Sequence, residues 1–159
     1  MFGPSITAAY ATQALVFIAR KGHDAHGAEA IASRTGVPQP YLLKILHTLS
    51  EKGLVIARRG NRGGYRLARS PGEITLFDVL TAVDGDDVFE RCLLGLGRCS
   101  SKRACPVHAL WSDHRRTLRS HYRELTLGEL AGFDRFDVER DYHFGCNGKS
   151  IIQKRRGHE

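Results

Sequence analysis

Several features that would assign this chain to a common class of proteins are missing from its sequence. No apolar run approaches the roughly 20 residues that are needed to span a bilayer. The first 20 residues have neither the basic start nor the small-residue cleavage site of a signal peptide. Cysteine is scarce, with four in the chain, and no secretory context favours disulfide bonds. These absences predict a cytoplasmic protein without a membrane span, in which thiols stay reduced.

The composition indicates a basic globular protein. With 159 residues, 42% of them hydrophobic, the chain can form one cored domain, or one domain with an appendage. Lysine and arginine outnumber aspartate and glutamate, which gives a formal charge of +7. A basic balance of this size favours a polyanionic partner, most often a nucleic acid.

A short stretch between residues 92 and 108 concentrates side chains that bind soft metals. It contains glycines that would let the backbone wrap around a small group, and a proline that suits the first turn of a helix. Thiolates together with an imidazole are ligands for zinc or for an iron–sulfur cluster. The candidate ligands are Cys92, Cys99, Cys105 and His108.

Other uses of these side chains remain open at this level. Three cysteines and one histidine can form a structural zinc site, although gaps of six and five residues fit it less well than tight Cys-x-x-Cys pairs. Disulfide bonds are a second alternative, but three clustered thiols leave one over. A cysteine nucleophile with a nearby histidine would make an enzyme. Nothing in the sequence completes a substrate pocket, so we expect no enzymatic activity.

The first part of the chain has the pattern of a helix-turn-helix. A first helix, capped by Ser5 or Thr7, runs to about residue 20. A short helix over residues 28–35 ends at a glycine, and a turn with two prolines leads to a helix over residues 40–52. Apolar side chains recur at helical spacing on this last helix, which leaves its other face polar. The second helix of such a pair enters the major groove of DNA.

A basic hairpin follows the helix-turn-helix directly. Residues 54–59 and 65–68 read as two strands joined by a glycine-rich turn. A hairpin in this position is the wing of a winged helix, and its cations would meet phosphates or the minor groove. We therefore predict a winged helix that binds double-stranded DNA. The candidate DNA contacts are Gln39, Tyr41 and Lys44 at the exposed start of the second helix, and Arg58, Arg59 and Arg62 in the hairpin.

Two more helices are predicted after the hairpin. A capping box formed by Thr75 and Asp78 opens the first, which runs to about residue 84 with Phe77 on its inward face. The second, over residues 106–125, carries an apolar stripe that is long for a small domain. Since helix-turn-helix proteins commonly read two half-sites, we expect this stripe to pack on a second copy in a homodimer.

The predicted fold is mainly α with a small β-hairpin, a winged helix-turn-helix plus a long C-terminal dimerisation helix. The last residues are polar and basic and are expected to form a flexible tail, in which His143 and Cys146 lie close together without a metal role. The predicted divisions are a DNA-binding domain over residues 1–85, a cluster-binding loop over residues 86–108, a dimerisation helix over residues 106–132 and the tail over residues 133–159.

Residues 5 to about 130 resemble the Rrf-type family of winged-helix transcription regulators. Three stretches carry the likeness together, namely Gly60-Asn-Arg-Gly-Gly-Tyr-Arg-Leu-Ala, Ile74-Thr-Leu-Phe-Asp-Val-Leu-Thr-Ala-Val-Asp-Gly and Cys105-Pro-Val-His-Ala-Leu-Trp. The resemblance implies a dimeric transcription regulator whose DNA affinity is controlled by an iron–sulfur cluster on the three clustered cysteines. It also implies a signal such as redox stress, nitric oxide or iron status.

The two branches of this family differ in the fourth cluster ligand. In the IscR-like branch a histidine three residues after the last cysteine completes the site, and His108 matches it. In the NsrR-like branch an acidic residue near the N-terminus serves, but the stretch Thr7-Ala-Ala-Tyr has no carboxylate. The resemblance thus favours a 2Fe–2S cluster with His108 as fourth ligand. The first cysteine gap is six residues where that branch usually has five, so a 4Fe–4S cluster stays an alternative.

Overall fold

The computed structural model describes residues 4–60 and 63–133 of the chain. Within those residues it has a mainly helical fold with one antiparallel hairpin, as the sequence predicts. None of the described helices is long and apolar enough to cross a membrane. The elements are α1 (Ile6–Lys21), α2 (Ala28–Thr35), α3 (Gln39–Glu51), β1 (Val55–Arg58), β2 (Gly64–Leu67), α4 (Leu76–Asp84), α5 (His108–Glu124) and α6 (Leu127–Ala131), with short 3-10 turns at Pro71–Glu73 and Ser101–Arg103.

Helix α1 is the centre of the hydrophobic core. Alanine and larger aliphatic side chains recur along its buried face, so that α2, α3, α4 and α6 all contact it. Each of these helices contributes at least one fully buried side chain, among them Ile31, Leu42, Leu46, Val79 and Leu127. One continuous core therefore joins the helix-turn-helix to helices that follow it in the sequence.

Local capping determines where several helices begin and end. Ser5 caps α1 by accepting a hydrogen bond from the Ala8 N–H at 3.0 Å. Gly36 ends α2 in the left-handed conformation, at φ +70°. Thr75 and Asp78 form the capping box of α4. The sequence predicts all three features, and the structure confirms them.

The hairpin is paired on its outer edge with the loop that precedes α2. Strands β1 and β2 are antiparallel, in a register that puts Arg58 opposite Gly64. On the other side of β2, Tyr65 exchanges two backbone hydrogen bonds with His26, at 2.8 and 3.0 Å. A side chain at Gly64 would lie 2.5 Å from the His26 backbone, and its φ is +144°. This close pairing therefore requires glycine at that position.

Helix α5 lies against α4 through aromatic side chains. Phe77 of α4 stacks on Phe89 with ring centroids 5.3 Å apart, and Phe89 also contacts Tyr122 of α5. The Arg123 guanidinium lies 4.6 Å from the centre of the Phe77 ring, a cation–π contact. The sequence suggests that Phe77 faces the core, but its ring is half-buried between α4 and α5. The physical reason is that Phe89, from the loop after α4, provides a stacking partner there.

The sequence predicts a helix over residues 106–125 and one more short turn over residues 126–132, and the structure has two helices there, α5 and α6. After α5 the chain is extended through Leu125, and Thr126 pairs with the residue that caps α4. A new capping box, Thr126 with Glu129, then starts α6. Leu127 of this helix is fully buried in the core beside α1. Helix α6 therefore returns to the winged-helix core instead of continuing α5.

Candidate DNA-binding surface and metal centre

Helix α3 has one buried face and one exposed face. The buried side chains are Leu42, Ile45, Leu46 and Leu49, as the helical spacing predicts. Gln39 and Lys44, two of the predicted DNA contacts, are exposed. Leu43 and His47 are also exposed, and the sequence interpretation missed both. The signal for them was present, because Leu43 lies four residues after Gln39, His47 lies four residues after Leu43, and both fall outside the buried set.

Tyr41 differs from its neighbours on α3, because its side chain is bound within the chain. Its hydroxyl is 2.5 Å from Thr7 Oγ1, and its ring contacts the ring of Tyr10 edge-on, with centroids 6.0 Å apart. The side chain is half-buried against the core. In this position Tyr41 connects the start of α3 to the first turns of α1.

The hairpin presents a basic surface. Arg58 and Arg59, both predicted DNA contacts, are exposed. Arg66 of β2 is exposed as well and was missed by the sequence interpretation. Arg62, the third predicted contact of the hairpin, lies outside the described residues. The exposed cations of the hairpin and of α3 are available to phosphates, which bind arginine and lysine without sequence preference.

The first two cysteines lie on a narrow antiparallel ribbon. The Cys92 N–H donates to the Gly97 carbonyl at 2.7 Å, and the Cys99 N–H donates to the Glu90 carbonyl at 2.9 Å. Gly97, at φ +81°, allows the chain to turn between them. Because side chains alternate across a ribbon, this pairing puts Cys92 and Cys99 on the same face.

One pair of candidate ligands is in direct contact. Cys99 Sγ lies 3.2 Å from His108 Nδ1, and the His108 N–H donates to the Cys105 carbonyl at 2.9 Å. All three cysteines of the loop are half-buried free thiols. Within the described residues, no three His, Cys, Asp or Glu side chains converge as a ready-made metal site. The soft donor set fits zinc or an iron–sulfur cluster, and a bound group would draw Cys92 and Cys105 toward the Cys99–His108 pair.

Side chains of α5 hold the backbone of the cysteine loop, the segment between α4 and α5 that contains Cys92, Cys99 and Cys105. The Trp111 indole N–H donates to the Arg91 carbonyl at 2.9 Å, and Arg115 Nη1 donates to the Phe89 carbonyl at 2.8 Å. Arg91 also pairs with Asp87 at 3.0 Å. The hydrogen bond from Arg91 lowers the pKa of the Asp87 carboxyl, and the same bond raises the pKa of the Arg91 guanidinium. Since Arg91 precedes the first cysteine, these contacts fix one end of the loop.

Comparison with known sequences gives consistent matches. Residues 5–132 match the profile of the Rrf2 family, described as an iron-dependent transcriptional regulator. An HTH-type transcriptional regulator of Aquifex aeolicus is 31% identical over 132 residues, which span 82% of this chain and 92% of that protein. The HTH-type transcriptional regulator IscR of Cronobacter sakazakii is 38% identical over 101 residues, which span 64% of this chain and 62% of that protein.

Comparison with solved structures supports the same fold. The global cysteine regulator CymR of B. subtilis superposes with a TM-score of 0.71 at 24% identity, covering 82% of this chain and 97% of that one. IscR of T. potens superposes with a TM-score of 0.65 at 25% identity, covering 81% of this chain and 85% of that one.

Proposed function

Since the chain belongs to the Rrf2 family of transcriptional regulators, we propose that it is a homodimeric regulator whose affinity for a DNA operator is controlled by an iron–sulfur cluster. Its relatives are transcription regulators and not enzymes. The proposal adds three points to that family membership. They are the cluster, the residues that hold it, and the use of the cluster as a control on DNA binding.

The contact between Cys99 and His108 is the observation that carries the cluster assignment. A thiol and an imidazole nitrogen 3.2 Å apart form half of a four-ligand site, and both lie where a glycine-turned ribbon meets the start of α5. We assign Cys92, Cys99, Cys105 and His108 as the ligands, in line with the resemblance to the IscR-like branch. A bound cluster would supply a group that oxidants, nitric oxide or iron shortage can alter.

The exposed face of α3 and the hairpin are the proposed DNA-binding surface. Gln39 and Lys44 lie at the exposed start of α3, where a recognition helix reads base edges. Arg58 and Arg59 are placed to contact phosphates or the minor groove. Tyr41 supports this surface by holding α3 to α1 through Thr7. A regulator of transcription acts where the DNA is, which agrees with the expected cytoplasmic location.

Helix α5 is the proposed dimer contact. All 17 of its residues are described and none of them is buried, and Leu110 is 73% exposed. An amphipathic helix of this length normally buries its apolar face, so a second copy of the chain is a suitable partner. A cluster that ties the cysteine loop to the start of α5 would then influence how two recognition helices are spaced.

The cluster assignment is tested by analysing protein that has been purified without oxygen. We expect visible absorption, iron and acid-labile sulfide in the parent, and loss of all three in Cys92→Ala, Cys99→Ala and Cys105→Ala. Cys146→Ala, whose residue lies outside the described range, is the matched control and is expected to keep the cluster. A colourless protein with stoichiometric zinc would assign a structural zinc site instead. Full iron content in any one loop variant would remove that cysteine from the ligand set.

A further inference from the structure

Asp84, the last residue of α4, is hydrogen-bonded to Ser5 at the start of α1. Its carboxylate accepts a hydrogen bond from the Ser5 N–H at 3.1 Å and a second from the Ser5 hydroxyl. Ser5 is the residue that caps α1, and its Oγ accepts from the Ala8 N–H. The single hydroxyl proton of Ser5 therefore goes to Asp84, while its oxygen serves the helix. Asp84 is half-buried, and it sets the orientation of the cap that starts α1.

Asp84 is also hydrogen-bonded to the cysteine loop, through its main-chain carbonyl. Arg91 Nη2 donates to the Asp84 carbonyl at 2.7 Å, and Arg91 also pairs with Asp87 at 3.0 Å. Arg91 is covalently joined to Cys92, the first proposed ligand. Ser5, Asp84, Arg91 and Cys92 line one cavity of about 420 Å³. A displacement of the ligand loop would therefore reach Asp84 through the Arg91 side chain.

The start of α1 is in turn hydrogen-bonded to α3, the proposed recognition helix. Thr7, two residues after the cap, meets the Tyr41 hydroxyl at 2.5 Å, and Tyr10 packs against the same ring. The Tyr41 N–H donates to the Pro38 carbonyl in the first turn of α3. The connection from Cys92 to the start of α3 thus consists of hydrogen bonds and of short stretches of backbone, the longest being Ser5 to Thr7 in the first turn of α1.

We propose that Asp84 is a positioning residue that transmits the state of the cysteine loop to the recognition helix of the same subunit, through Ser5, Thr7 and Tyr41. This inference rests on the proposed function, because it needs a loop whose state changes. It differs from control through α5 alone, since the connection lies within one chain and reaches α3 directly. Coupling through such a connection requires that both ends bias one shared arrangement.

The test compares operator affinity with and without the cluster in four proteins. They are the parent, Asp84→Asn, Tyr41→Phe and the matched control Asp86→Asn, an exposed carboxylate two residues away. Asp84→Asn keeps the main-chain carbonyl that Arg91 uses, and Tyr41→Phe keeps the ring that Tyr10 contacts. The parent is expected to show a ratio of affinities of about 5–150-fold. Asp84→Asn and Tyr41→Phe should each reduce this ratio by about threefold or more with unchanged iron content. Asp86→Asn should keep the ratio of the parent.

A purely structural role for Asp84 would lower both affinities equally and leave the ratio intact, which would overturn the proposal. Loss of iron from Asp84→Asn would also overturn it, because Asp84 would then support the cluster itself. Equal operator affinities of the parent with and without the cluster would contradict the proposed function. A second measurement distinguishes failure of the proposed function from failure of the Asp84 connection. In cluster-free protein, Asp84→Asn should speed hydrogen exchange several-fold at the amides of Ala8 and Tyr41. Unchanged exchange at Tyr41 would show that Asp84 does not reach α3.

Discussion

Gly64 shows how one residue determines where the wing sits. Its backbone, at φ +144°, brings β2 against the His26 backbone, and a Cβ atom there would overlap that backbone at 2.5 Å. The overlap is with main-chain atoms, which cannot move aside as the end of a flexible side chain can. The pairing of His26 with Tyr65 therefore depends on the absence of a side chain next to it.

Replacing Gly64 with alanine should destabilise the fold by about 1–3 kcal/mol, because alanine is strained at this φ and would displace the hairpin from His26. The free energy of unfolding, measured by denaturant titration, checks this expectation. Gly72→Ala is the control, since nothing lies within 4 Å of a side chain at that position and its φ is not in the left-handed region. Equal unfolding midpoints for the two variants would show that the hairpin tolerates a side chain there.

Tyr41 illustrates what a single sequence can and cannot reveal about a site residue. Its place at the start of α3 follows from local helical spacing, and from that spacing it reads as an exposed DNA contact. The hydrogen bond to Thr7 and the contact with Tyr10 come from another helix more than 30 residues earlier. Such contacts depend on how α1 and α3 pack, and no local pattern encodes that packing.

At the scale of secondary-structure elements, predictability follows from how local the determining contacts are. The bounds of α2 and the capping box of α4 could be predicted because glycine and threonine act within one turn. The return of α6 to the core could not, since it depends on Leu127 fitting beside α1. For the cysteine loop, the donor types and their spacing were visible in the sequence. The contact of His108 with Cys99 was not, because it requires the folded ribbon.

The capping box of α6 leads to a prediction about pH. Hydrogen bonds from the Thr126 backbone and hydroxyl to the Glu129 carboxylate lower the pKa of Glu129 from its ordinary value of 4.5. Because folding lowers this pKa, the stabilisation is present above 4.5 and is lost as the pH falls through the folded value. Glu129→Ala should therefore be less stable than the parent at pH 7, and this difference should disappear in acid.

Denaturant unfolding at pH 7 and in acid would measure this difference. Glu124→Ala, which removes an exposed carboxylate at the end of α5, controls for a general change in charge. A difference between the Glu129 variant and the parent that persists unchanged in acid would mean that the carboxylate does not stabilise the cap through its charge.

At the scale of the whole molecule, the two proposed functional surfaces share one scaffold. The winged helix carries the basic hairpin and α3, while the loop after α4 and the first residue of α5 carry the candidate ligands. Helix α1 contacts α3, α4 and α6, so the buried core connects the helix that precedes the cysteine loop with α3. In the proposed homodimer, the exposed α5 would add a second route, through the partner copy. In both routes, the free energy that can change DNA affinity is the difference in stability of the loop with and without its bound group.

The measurement that tests the account most directly is the affinity of the parent protein for its preferred duplex, with the cluster loaded and after its removal. The duplex is selected from a random pool, and both titrations use the same salt concentration, since phosphate contacts make affinity depend on salt. We predict two chains per duplex and affinities that differ by about 5–150-fold between the two states. Identical affinities in the two states, with iron confirmed in the loaded sample, would contradict the claim that the cysteine loop controls DNA binding.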